Sequence, residues 1–159
     1  MKTFIRMIDG LSLGGAFLSA ALMLLIVILI AVEILLRSVF NTSTLISDEY
    51  SAYFFVGVVL LGLAFTLREE GHIRITLLTS VLGKRGRAVL DVLATVMAVA
   101  VTTFALYHAS AMVYDSWHLD MRADSISETP IYLSQMVIPA GLALFDLQLV
   151  SRLLKKRFL

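Results

Sequence analysis

Four long apolar runs leave this chain few folds to choose from. Gly10 to Val32 holds 23 residues without a charge, Tyr50 to Leu67 holds 18, and Val92 to Tyr114 holds 23. The fourth run starts at Ile131 and reaches Phe145. Past Asp146 it resumes through Leu147, Leu149 and Val150, to about Leu154. A helix that crosses a bilayer needs about 20 mostly apolar residues. Composition agrees: 59% of the residues are hydrophobic and 16% are charged, against about 45–50% and about 25% in soluble domains. A soluble monomer of 159 residues has too little interior to hide so much apolar surface. A water-soluble enzyme, a DNA-binding module and a disordered tail are thereby excluded. A net charge of +1 leaves no electrostatic footprint for nucleic acid. With no cysteine, disulfides, thiol catalysis, cysteine-held metals and iron–sulfur clusters are also excluded.

The expected fold is all-α: a polytopic membrane protein forming one domain over residues 1–159, with spans at about 10–36, 48–68, 89–114 and 131–154. Lys2 and Arg6 ahead of an apolar run imitate a signal peptide. The run continues to Val32, however, beyond the 7–15 residues of a signal h-region, so an uncleaved anchor helix is expected. Eleven of the thirteen basic residues fall in the two tails and in the segment joining spans two and three; only Arg37 and Arg122 lie on the other side. Basic loops stay in the cytoplasm, which places both termini there and fits an even number of spans. Between spans two and three, Ile73, Leu77, Leu78, Val81 and Leu82 recur at helical spacing beside Arg74. Such a segment either lies along the lipid headgroups or packs beneath the bundle. Trp117, Tyr114 and Tyr132 mark the opposite interface.

Ionisable groups within a bilayer are costly, so each is a candidate for function. Glu33 and Arg37 stand four residues apart in the favourable order for a helical ion pair. They neutralise each other or meet a partner. Asp91 lies within reach of Arg87. Asp146 is deeper, and either pairs with basic residues of the connecting loop or faces a protein partner. His108 is the sole histidine inside a span, which gives no support to a two-histidine haem site within this chain. No metalloprotease motif, phosphate loop or Ser–His–Asp set is evident. Nor do clustered polar residues and matched helix breaks mark a solute path; Pro139 is the one proline inside a span. No catalytic, cofactor-binding or metal-ligating residue is expected. Small residues remain: Ala94, Ala98, Thr102, Ala105 and Ala109 on span three, and Ala16 with Ala20 on span one, suit close helix packing.

The most distinctive stretch runs from Arg37 to Leu78. Arg37-Ser38-Val39-Phe40-Asn41 closes span one. Ser47-Asp48-Glu49 opens span two, with Ser47 placed to cap it and the acids in its first turn, where the helix dipole favours them. Gly62-Leu63-Ala64-Phe65-Thr66-Leu67-Arg68-Glu69-Glu70-Gly71-His72-Ile73-Arg74-Ile75 leaves it, with Gly71 as a natural stop. This resembles the small membrane subunit (DctQ-like) of tripartite ATP-independent periplasmic (TRAP) transporters. The likeness lies in the Arg-x-x-Phe-Asn run, the acidic pair and the Gly-His-Ile-Arg run. Pro130 and Ile138-Pro139-Ala140-Gly141 fit the looser C-terminal pattern. Ile46 stands where the family often has Trp.

The resemblance implies an inner-membrane protein with no cofactor, partnered by a large permease subunit and a periplasmic solute-binding protein. It also implies uptake driven by an ion gradient, usually sodium, with organic acids as typical cargo. Glu33, Arg37, Asp48 and Glu49 would mark the outer side near a partner. Arg68, His72 and Arg74 would shape the inner interface and touch lipid headgroups. Two rival readings are a membrane anchor of a redox or quinone-linked complex and a small homodimeric exporter.

Overall fold

The computed structural model describes residues 2–69 and 83–157. The amphipathic segment, Gly71, His72 and Arg74 lie outside the described residues. Helix α1 spans Lys2–Phe40, α2 Ser47–Arg68, α3 Lys84–His118, α4 Ile131–Gln135 and α5 Val137–Arg157. No strand occurs among the described residues, only an isolated bridge between Arg122 and Pro130. Four stretches are long and apolar enough to cross a membrane: Thr3–Phe40, Ser47–Arg68, Arg85–His118 and Ile131–Lys155. The chain is a four-span, all-helical membrane protein.

The helices continue well past the apolar runs that nucleate them. At 1.5 Å per residue, the 39 residues of α1 extend about 58 Å, against an apolar bilayer thickness of about 30 Å. Helical hydrogen bonding carries α1 through the polar residues flanking its apolar run, because nothing there breaks the helix before Asn41.

Helix α5 lies at the centre, packing on α1, α2 and α3, while α1 also packs along α2. Helix α1 contributes one narrow seam. Ile8, Ser12, Gly15, Ser19, Leu22 and Ile26 recur at alternating steps of four and three and turn inward, the spacing of a coiled-coil seam. The opposite face, with Phe17, Leu24 and Ile28, is exposed. In water this would be ruinous; in lipid, acyl chains cover it and packing selects the seam. Small residues let backbones approach. A Cβ on Gly15 would lie 3.0 Å from the Leu61 carbonyl oxygen, and one on Gly141 would lie 2.6 Å from Leu60 Cβ. Ser19 Oγ donates to the Val58 carbonyl at 2.7 Å. The close packing on α1 thus uses Ser12, Gly15 and Ser19. Ala20 is exposed, because it stands a third of a turn from the seam. On α3, Thr102 and Ala109 of the expected stripe are buried, joined by Thr95, whereas Ala94 is exposed.

The fourth span is broken at Met136, between α4 and α5. Pro139 has no N–H to give the carbonyl of residue 135, which weakens the turn there. The side-chain oxygen of Gln135 is buried beside this break with no partner among the described residues. Both termini lie at one end of the bundle, termed here the terminal end. The connections 41–46 and 119–130 lie at the other, the loop end.

Candidate functional site

At the loop end, Glu33 collects donors. Buried on α1 with its side chain 7% exposed, it pairs with Arg37 one turn on, Nε to Oε1 at 2.8 Å. Ser43 Oγ also donates to Oε1. Thr44 gives Oγ1 to Oε2 at 2.6 Å and its backbone N–H at 3.3 Å. Arg37 reaches Ser43 Oγ with Nη2 at 3.3 Å. The ion pair therefore does more than neutralise itself: it folds the 41–46 connection back onto α1. That connection needs help, since Asn41 and Leu45 hold positive φ of 49° and 58°, a region costly for side chains other than glycine.

Asp48 and Glu49 occupy the first turn of α2, but they part company. Asp48 is exposed. Glu49 accepts from Tyr53 Oη at 2.7 Å and from Ser127 Oγ at 2.8 Å, and Tyr50 bonds Thr129 at 3.1 Å. These contacts pin the 119–130 segment over α2. Ser47 does not cap the helix. Ile46 is the N-cap, with αR backbone and no side-chain cap bond, and Ser47 is buried as the first helical residue. The extended geometry that a serine cap requires is absent because the turn closes through Glu33.

The terminal end holds a second network that the sequence did not single out. Ser12 Oγ donates to Gln148 Oε1 at 3.1 Å, and Gln148 Nε2 donates to Asp9 Oδ1 at 3.1 Å. Lys155 Nζ lies 3.0 Å from both Asp9 oxygens. Ser12 and Ser151 are completely buried, and Gln148 nearly so. The available signal was the position of Ser12 on the α1 seam and of Gln148 and Ser151 one turn apart in the last span. Asp91 meets Arg152 of α5 at 3.4 Å, tying α3 to the same end. Arg68 extends over the Phe65 ring at 5.8 Å and approaches Glu69 at 3.7 Å.

Between the ends, Asp146 accepts from Thr103 Oγ1 of α3 at 3.1 Å, while its other oxygen is buried with no partner among the described residues. His108 stands on an exposed face of α3 beside the rings of Phe104 and Tyr107. Among the described residues, no three His, Asp or Glu side chains gather as metal ligands would. Of the expected site residues, the structure joins Glu33 with Arg37 and keeps Asp48, Glu49 and Arg68 apart from them. Chemically, the two end networks spend their polar groups on each other and fasten helix to helix.

Comparison with known proteins gives a consistent picture. Residues 26–158 match the family model described as tripartite ATP-independent periplasmic transporters, DctQ component. A Haemophilus influenzae protein named as a TRAP transporter small permease protein is 20% identical over 134 residues, covering 84% of this chain and 81% of that one. A second Haemophilus influenzae protein of the same description is 30% identical over 80 residues, 50% of each chain.

Proposed function

The chain belongs to the DctQ family of tripartite ATP-independent periplasmic transporter components, and from that premise we propose that it is a stationary scaffold for a large permease subunit. The large subunit carries the solute and ion sites; this chain acts as one four-span membrane domain that gives the moving part something fixed to move against. A transporter subunit of this kind performs no enzymatic reaction. The cargo is an organic acid delivered by a periplasmic solute-binding protein, and an ion gradient, usually sodium, drives uptake. The chain sits in the bacterial inner membrane with both termini in the cytoplasm, where the basic residues of the terminal end meet anionic headgroups. Arg68, His72 and Arg74 shape that face. Glu33, Arg37, Asp48 and Glu49 face the periplasm, where the binding protein docks.

One observation supports this reading above the others: the backbones of α1, α2 and α5 touch. Gly15 and Gly141 bring their helices so near that a single added carbon would meet Leu61 or Leu60 at 3.0 Å or less. Solute sites in carriers are built where helices unwind and separate around a cavity. Here the helices close on one another at the levels of Gly15 and Gly141, and the charged and polar side chains of the two end networks bond to one another. Deleting this chain from cells that keep the large permease and the binding protein should abolish uptake of the radiolabelled solute. The affinity of the purified binding protein should be unchanged. Full uptake without the chain, or transport by the chain alone in liposomes, would overturn the reading.

A further inference from the structure

Helix α3 carries two seams, and the chain fills one. Thr95, Thr102, Ala109 and Ser116 are buried on the first, which lies against α5. About a third of a turn round the helix, Val96, Ala100, Thr103, Tyr107, Ser110 and Tyr114 recur at alternating steps of four and three, and all six are exposed. This is the spacing of a helix-packing seam. It is polar at mid-span, where lipid offers nothing to polar groups; Ser110 satisfies its own hydroxyl on the Leu106 carbonyl at 2.8 Å, which leaves Thr103 and Tyr107 to carry the seam's polarity. Thr103 lies near the centre of its span, and its hydroxyl bonds Asp146 Oδ2 of α5 at the outer surface of the α3–α5 joint. Tyr107, 71% exposed, has its ring against His108 at 5.3 Å; its hydroxyl has no hydrogen bond among the described residues. An acid at this depth faces a protein interior or water and not acyl chains. A carboxyl oxygen with one donor retains capacity for another.

We propose that the α3 seam through Thr103, Tyr107 and Ser110, together with Asp146, is where a transmembrane helix of the large permease packs, presenting a hydrogen-bond donor to Asp146 at mid-membrane depth. The inference rests on the scaffold reading and adds to it the face and the chemistry of the contact. The exposed face of α1 is the contrast. Phe17, Leu24 and Ile28 are purely apolar, so lipid covers that side without cost.

The test places a photoreactive benzoylphenylalanine in the full chain, co-expressed with the large permease. The probe replaces Thr103, Tyr107 or Ser110 in one set, and Phe17 or Leu24 in the other. The seam positions should cross-link to the large permease and the α1 positions should not. Asp146→Leu, which removes the acceptor, should at equal membrane levels reduce co-purified large permease about three- to twentyfold, the range for losing one interhelical polar contact. If the large permease co-purifies but cross-links from α1 and not from α3, the seam assignment fails and the scaffold reading stands. Cross-links from the seam to lipid alone, or to a second copy of this chain, overturn the assignment in the same way. If no large permease co-purifies with the unaltered chain, both fail.

Discussion

Gly141 of α5 rests directly on Leu60 of α2: a Cβ at this glycine would lie 2.6 Å from Leu60 Cβ and 2.9 Å from its carbonyl carbon. Backbone cannot swing aside as a side-chain tip can, so Gly141→Val should force α2 and α5 apart. The expected cost is about 1–3 kcal/mol, read as a lower melting temperature of the detergent-purified protein. Gly14→Val is the control. Apart from its chain neighbours and its own helix backbone, no atom of the described residues lies within 4 Å of a Cβ there, and the melting temperature should scarcely move.

Glu33 holds the 41–46 connection through Arg37, Ser43 and Thr44. Glu33→Ala strands four donor groups on three residues at once, whereas Glu33→Gln keeps one acceptor oxygen and loses the charge. Thermolysin, which cuts ahead of residues such as Leu45 and Ile46, applied from the loop end should cut the connection faster in Glu33→Ala than in Glu33→Gln, and slowest in the unaltered chain. Equal cutting in all three would contradict the assigned role.

At the terminal end, two variants rank the contributions of burial and charge. Gln148 is 2% exposed, so Gln148→Leu leaves the Ser12 hydroxyl and one Asp9 contact unpaired in a dry site, costing about 1–3 kcal/mol. The Lys155–Asp9 pair is wetter, with the lysine side chain 40% exposed. Lys155→Met should therefore cost less than about 1 kcal/mol, and the difference should shrink further in high salt. Denaturation midpoints in mixed micelles check the order; a larger loss from Lys155→Met would reverse it.

Glu49 bonds Ser127 across a sequence separation of 78 residues. Glu49→Ala should release the 119–130 segment from α2, seen as faster amide hydrogen exchange at Ala123 and Ile131, whose N–H groups bond within that segment. Asp48→Ala, at an exposed neighbour with no part in the network, should leave exchange unchanged. The pair separates a local hydrogen-bond effect from a general loss of negative charge in the first turn of α2.

The sequence made some of this legible residue by residue. The Glu33–Arg37 pair follows from helical spacing alone, because four residues bring two side chains to one face whatever surrounds them. Asp48 and Glu49 fall in a first helical turn for the same reason. By contrast, Ser47 reads as a cap until the turn before it is seen to close through Glu33, leaving Ile46 at the cap. Asp91 has a helical neighbour in Arg87, yet it also reaches Arg152, sixty-one residues away. The Asp9–Gln148–Ser12 network has no local signature, since its members are distant in the chain and individually ordinary.

The number and type of the membrane spans were settled by the sequence, because lipid demands an apolar run with every backbone group bonded within it; how far α1 runs on beyond its apolar run and the break at Met136 were not. Which residues of those runs turn inward was settled only by tertiary packing. Lipid is as apolar as leucine, so hydrophobicity does not distinguish the seam from the surface. The choice fell to shape and hydrogen bonding: to Gly15 and Gly141, where helices could approach, and to Ser12, Ser19 and Gln148, where a partner on another helix waited.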